Sequence, residues 1–174
     1  MLFMRKFTSV IEVLKVIGIV FIAAVAIRYF LFQPFVVEGS SMEPNYHNGE
    51  YLFIEKVSYR LHIPERGDVV VFKYPNSPNI NYIKRVVGLP GETLRIDGGR
   101  VSIDGKLLEE SYLEPGEMTL INRNNEATYE ITLPEGKYFV MGDNRDHSSD
   151  SRDGWLVPQN YIVGRSAVTI YANK

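Results

Sequence analysis

The sequence predicts a mainly β protein: one hydrophobic helix at the N-terminus, then a β domain that carries a small β insertion. Three observations carry that expectation. The N-terminal segment is apolar and unlike the rest. The remainder is built from short runs of branched and aromatic residues, and clusters of Gly, Pro, Asn and Asp separate those runs at close intervals. Of the 174 residues, roughly 135 to 140 are left for one globular unit with its own core. The 19 basic and 21 acidic residues are well mixed and leave a net charge of -2, which argues against nucleic acid as a partner. The absence of cysteine excludes thiol catalysis, disulfides and thiolate metal sites.

Residues 1–33 read as a cytoplasmic tip and a membrane anchor. Arg5 and Lys6 precede an apolar run from Phe7 to Phe32 whose only charges are Glu12, Lys15 and Arg28. Twelve uncharged residues separate Lys15 from Arg28, fewer than the roughly 20 that a hydrocarbon core requires. Arg28 can snorkel, however, and Tyr29-Phe30-Leu31-Phe32 has the aromatic composition of an interface, so Val10 to Phe32 can still span. Three cations at the near end against one at the far end predict a single-pass protein of the cell membrane, with a cytoplasmic N-terminus and an extracytoplasmic domain. Ala24-Val25-Ala26 behind the same apolar core also fits a cleavable secretory signal. Against that, the apolar character continues through Phe35-Val36-Val37.

Pro34 is expected to end the helix. Strands are then expected at Phe35–Glu38, Tyr51–Val57 and Val69–Phe72, with Asn48-Gly49 and Glu65-Arg66-Gly67-Asp68 as turns. Arg66-Gly67-Asp68 is such a turn and not an adhesion ligand. Pro75–Asn79 reads as a loop before a strand over Tyr82–Val87. Residues 93–135 form a hairpin series around Asp97-Gly98-Gly99, Asp104-Gly105 and the polar loop 122–126, read as an inserted β lobe within a domain made of 34–92 and 136–174. Glu109, Glu110, Glu114 and Glu117 in that lobe read as solvated surface. Core strands return at Lys137–Met141 and Ser166–Tyr171.

Three stretches carry chemistry. In Gly39-Ser40-Ser41-Met42-Glu43-Pro44 the glycine permits close backbone approach and the proline forbids a regular helix, so the Ser41 hydroxyl is displayed from a stiff loop. A displayed serine needs a base, and His47, His62 and His147 fall in no familiar catalytic context. Lys84, in Tyr82-Ile83-Lys84-Arg85-Val86-Val87, is the other option. Strand alternation places it with Tyr82 and Val86, away from Arg85; two solvated cations on an edge strand are the competing reading. The third stretch runs from Gly142 to Trp155. It fails as a calcium loop: with Asp146 first, Ser151 stands where the turn glycine belongs and Val157 where the bidentate carboxylate belongs. Its short polar side chains instead suggest an interlocked hydrogen-bond network that positions something.

Together these stretches closely resemble the bacterial type I signal peptidases, in the compact form of Gram-positive bacteria. The matching pieces are Gly39-x-Ser41-Met42-x-Pro44, Arg66–Phe72, Tyr82–Gly91 and Gly142-Asp143-Asn144-Arg145-Asp146-x-Ser148-x-Asp150-Ser151-Arg152, in the family's order behind an anchor. The resemblance implies a coiled, mostly antiparallel β-sheet and a Ser/Lys endopeptidase that removes signal peptides from exported preproteins, without metal or cofactor. Ser41 corresponds to the nucleophile, Lys84 to the general base and Ser148 to the serine that orients the lysine. Asp143, Asp150, Arg152 and Arg85 match the supporting ion pairs. Phe35, Val37, Val71 and Ile83 would line shallow pockets for small side chains, with Met42 and Tyr82 near the scissile bond. Gly39 departs from members that have a serine there as an oxyanion donor, which leaves the second donor open between the Ser40 hydroxyl and a water.

Lysine can serve as the base only if its environment disfavours its charge. Lowering an ordinary pKa of about 10.4 by about 3 units requires about 4 kcal/mol, which apolar walls can supply. Two other readings remain. A self-cleaving Ser/Lys repressor would carry a DNA-binding helical domain where this chain has its apolar segment, and a silent, anchored β domain that binds exported chains would lack the serine or the lysine.

Overall fold

In the computed structural model the described residues are 2–56, 59, 62–121 and 128–170. The polar loop at 122–126 and the last residues expected in two strands, Val57 and Tyr171, lie outside them. Helix α1 (Leu2–Leu31) comes first. It leads without a break into β1 (Phe32–Val36), followed by β2 (Tyr51–Glu55), β3 (Val69–Tyr74) and β4 (Ser77–Gly88). A run of short strands comes next: β5 (Thr93–Asp97), β6 (Arg100–Ile103), β7 (Lys106–Leu107) and β8 (Thr128–Thr132). Strands β9 (Lys137–Met141), β10 (Val157–Pro158) and β11 (Ile162–Ile170) complete the chain. Among the described residues no helix is long and apolar enough to cross a membrane.

Two antiparallel sheets result. The larger has the order β1-β2-β11-β3-β4-β9-β10, and the smaller the order β7-β6-β5-β8. Register shifts interrupt β11 against both its neighbours and β4 against β9. Such bulges bend strands and increase their twist, which coils the large sheet. Gly164 sits at one of them, where a Cβ would run into the Glu55 backbone.

Val69–Phe72 of β3 are all buried because the two faces of the strand serve different cores. Val69 and Val71 join Val37, Met42, Leu52, Ile54 and Ile83, while Val70 and Phe72 join Val86, Tyr138, Val140, Trp155 and Val157. A third core joins the small sheet to the large one through Val87, Leu94, Ile96, Phe139 and Met141. Two boundaries differ from expectation. The helix stops at Leu31, and Pro34 lies inside β1 opposite Phe53, tolerated because β1 is an edge strand with a free side for a residue that has no N–H. The expected loop at 75–79 shrinks to a turn, because β4 already pairs with β3 from Ser77.

Candidate active site

The loop between β1 and β2 presents Ser41. Its stem is closed by Val37 N–H to Glu50 O at 2.9 Å and Gly49 N–H to Val37 O at 2.8 Å. Gly39, at φ +89°, turns the chain, and its N–H donates to Asn48 Oδ1 at 2.8 Å. Bonds from Glu43 N–H to Ser40 O and from Tyr46 N–H to Met42 O tighten the next turn, around a cis Glu43–Pro44 peptide. Val37 and Met42 plug the loop into the core beneath it. The Ser41 hydroxyl is therefore held by two buried residues rather than by the loop alone.

Lys84 rises from β4 and is only 4% exposed. Its Nζ lies 2.6 Å from Ser41 Oγ, donates to the Ile83 carbonyl at 2.9 Å and stands 5.4 Å from the Tyr82 ring centre. Burial lowers its pKa to about 8; Asp150 and Asp143 oppose that, and Arg152 assists it. At pH 7 about one amine in ten is then neutral, far more than for a free lysine. A neutral amine at this distance can take the serine proton.

Ser148 is buried beside the pair, where Gly142 leaves room: a Cβ at Gly142 would overlap both Ser148 Oγ and the Ser41 carbonyl. The resemblance puts the Ser148 hydroxyl on the lysine, whereas here Ser148 Oγ has no hydrogen-bond partner among the described residues and the second bond of the amine goes to Ile83. The supporting ions form two separate pairs. Arg85 grips Asp143 through two bonds, at 2.8 and 2.6 Å, and Arg152 grips Asp150 at 2.8 and 2.9 Å. Asp150 also accepts the Gly142 N–H at 3.1 Å and so braces the backbone beside the lysine. Asn144 ties this loop to the serine turn, its N–H donating to Ser41 O and its amide to Ser40 O, each at 3.1 Å.

Arg145, fully buried, was not singled out from the sequence. Its guanidinium donates to Glu110, to the Gly142 carbonyl and to Thr119 Oγ1, and its N–H donates to Glu117. This corrects the reading of the acidic group as solvated surface. Glu109 and Glu114 are exposed, but Glu110 and Glu117 are bound to Arg145, since a buried guanidinium requires partners. The residue spacing gives no sign of it, because the partners lie 26 to 35 residues apart.

An open cleft of about 760 Å³ runs to the serine and lysine, walled by residues 34–36 and 38–41 on one side and 79–84 on the other. Phe35, Tyr82 and Ile83 line it. Val37, Met42 and Val71 do not; they lie below in the core. His147 and Ser149 also line the cleft. His147, which the sequence placed in no familiar catalytic context, is exposed and part of the cleft wall. Among the described residues no group of three or more His, Asp or Glu side chains could hold a metal.

The family model described as signal peptidase, peptidase S26, matches residues 10–171. Signal peptidase I of Bacillus licheniformis is 38% identical over 171 residues, covering 96% of this chain and 91% of its own. Signal peptidase I T of Bacillus subtilis is 39% identical, covering 96% and 88%. The crystal structure of a signal peptidase I from Enterococcus faecalis V583 superposes with a TM-score of 0.52 at 33% identity, over 61% of this chain and 98% of that one. A serine and a buried lysine in contact at the head of a cleft, on a chain matched almost end to end, place this protein in the signal peptidase family, peptidase S26.

Proposed function

We propose that this chain is a membrane-bound serine endopeptidase that removes signal peptides from exported preproteins, with Ser41 as nucleophile and Lys84 as general base. The observation that carries the reading is the buried Lys84 amine 2.6 Å from the Ser41 hydroxyl. The neutral amine takes the hydroxyl proton while Ser41 Oγ bonds to the scissile carbonyl carbon. The resulting ammonium gives that proton to the leaving nitrogen as the peptide bond breaks, leaving an acyl-enzyme. Lys84 then deprotonates a water that attacks the ester and frees the signal peptide's carboxyl end. The Ser41 N–H has no partner among the described residues, which fits a role toward the oxyanion, with the Ser40 hydroxyl or a water as the second donor. None of these steps uses a metal or a cofactor.

The substrate lies extended between the two cleft walls, pairing with backbone as an added strand. Phe35 and Ile83 offer shallow apolar walls suited to small side chains one and three residues before the cut, with Tyr82 near the scissile bond and Val37, Met42 and Val71 supporting from beneath. Residues 34–92 and 136–174 form the catalytic unit and 93–135 the inserted lobe. Although α1 falls short of a wholly apolar span, this reading makes it the anchor, crossing once with its Arg5-Lys6 end in the cytoplasm. Its residues Val10, Val13, Val16, Ile19, Phe21 and Val25 are exposed around its girth, a surface that fits hydrocarbon rather than water. Mass spectrometry of a preprotein incubated with the intact chain in detergent tests the reading. One cut after a small-x-small sequence is expected, and a loss of at least about 10³-fold in Ser41→Ala and in Lys84→Ala. Full activity in Lys84→Ala defeats the assignment of the base.

A further inference from the structure

The segment 108–121 between β7 and β8 lies against the catalytic loop. Its ends are fastened to the small sheet, by Leu108 N–H to Val101 O and Thr119 N–H to Gly99 O, each at 2.9 Å. The segment reaches all three stretches that build the site: Glu110, Glu117, Thr119 and Leu120 bond to Arg145 or Arg152, and Tyr112 meets the serine turn and the Lys84 strand. The Tyr112 ring packs on the Arg85 guanidinium, 4.2 Å from ring centre to Cζ. The Tyr112 carbonyl accepts at 2.8 Å from Nδ2 of Asn45, four residues beyond Ser41 in the serine turn, and the same amide donates to Asp143 Oδ2 at 2.9 Å. The Tyr112 hydroxyl donates to Glu110 at 2.7 Å, and Glu110 holds the buried Arg145 of the catalytic loop. Burial and the Glu110 carboxylate push the Tyr112 phenol well up, so it stays a donor throughout the working range.

We propose that Tyr112 is a positioning residue for the reaction: its ring pins the Arg85 guanidinium onto Asp143 and so keeps that carboxylate neutralised beside the Lys84 amine. The inference rests on the signal-peptidase reading and deepens it. The charged groups facing Lys84 are Asp150, Asp143 and Arg152, with the Tyr82 ring from its own strand and the Ser41 hydroxyl from the serine turn. The Asp150–Arg152 pair has the Gly142 N–H and the Arg145 and Leu120 carbonyls as its outside partners and makes no bond to Tyr112. The Asp143–Arg85 pair is the one that meets Tyr112: the guanidinium's other partners are the Gly67 carbonyl and the Tyr112 ring, and Asn45, bonded to the Tyr112 carbonyl, donates to the carboxylate. Removing the ring admits water to Arg85 and loosens its hold. More of Asp143's charge then reaches the amine, favours its protonated form and withholds the base.

The test is the pH dependence of kcat/KM for a synthetic signal-peptide substrate, measured with the full chain in detergent from pH 6 to 10. It compares wild type with Tyr112→Ala, Tyr112→Leu and Tyr112→Phe. The acid limb reports the free enzyme's base. It is expected to move up by about half a pH unit in the alanine and leucine variants, a roughly 3-fold loss at pH 7 that is regained at high pH. Tyr112→Phe, which keeps the ring and loses only the bond to Glu110, is expected to keep the limb where wild type has it. A uniform loss at every pH, a limb that stays put or moves down in Tyr112→Leu, or a phenylalanine variant that shifts like alanine overturns the proposal. If alanine fails to fold, leucine carries the test, since it keeps the apolar bulk. Wild type that does not cut the peptide at all defeats the functional reading instead.

Discussion

Gly142 shows how little slack surrounds the reacting groups. It follows β9 directly, its N–H is held by Asp150, and the space a side chain would need is already filled by Ser148 and by the carbonyl of Ser41. Gly142→Ala must push the serine turn or Ser148 aside, because β9 is fixed in two cores. A displacement near 1 Å at the reacting atoms costs about 10²-fold, and overpacking costs about 1–3 kcal/mol. The expected result is a drop of that order in kcat with a modest fall in Tm, read by steady-state kinetics and a thermal melt. Wild-type kcat would mean that the serine turn can yield without moving the hydroxyl. In the sequence the displayed Ser41 was legible from the glycine and proline of its loop, while Lys84 stayed open between a base and a solvated edge cation, and the family resemblance paired the two. The crowding at Gly142 was not legible, since it joins Ser41 to Ser148 across the whole domain. Nor was the network of Arg145, Glu110 and Tyr112, since acidic residues in a loop look alike whether they face water or a buried guanidinium.

Among the elements, the short 3-10 turn at Ser151–Asp153 holds the loop after β9 in place. Asp150 caps it by accepting the Arg152 N–H at 3.2 Å, and Gly154, at φ +87°, ends it. Ser151 Oγ accepts the Val140 N–H at 3.0 Å and locks the turn onto β9. Asp150 thus serves the cap, the Arg152 pair and the Gly142 amide together, with both partners of the pair 1% exposed. Asp150→Ala leaves a buried guanidinium unpaired and is expected to destabilise by about 3–5 kcal/mol in denaturant unfolding. Its charge is also the largest influence raising the Lys84 pKa, so whatever activity survives should show an acid limb moved to lower pH, opposite in sign to the effect of removing the Tyr112 ring. A limb moved upward would contradict the electrostatic account. The elements themselves were readable where one face alternates or a run is wholly apolar, as in β2, β3 and β9. They were misjudged where pairing overrode local signals. Pro34 sits in an edge strand because nothing bonds its free side, and Ser77–Asn79 extend β4 because β3 is there to pair with.

At the scale of the whole molecule, strand order decides what the cleft can receive. β11 comes from late in the chain and inserts between β2 and β3, so within the sheet the wall carrying Lys84 is joined to the wall carrying Ser41 through β11. No pattern within the sequence dictates that insertion. The strand next to the helix is the other wall: α1 ends at Leu31 and the cleft begins at Pro34, a distance of roughly 10 Å along an extended chain. If α1 is the anchor, the cleft lies at the bilayer surface, where a signal peptide's apolar helix ends, and the shared membrane raises the local concentration of substrate. Val20→Asp places a charge among exposed apolar side chains near the middle of that helix, at a cost of about 2.5–3.5 kcal/mol for insertion. Flotation with lipid vesicles should then fall by about 10²-fold in partition, and cleavage of a vesicle-inserted preprotein should fall with it. Cleavage of a short peptide in detergent should not change, because Val20 does not line the cleft. Undiminished flotation would show that the helix is not what holds the enzyme to lipid. Equal loss on both substrates would show that the helix acts on the catalytic domain rather than on its encounter with membrane-borne chains.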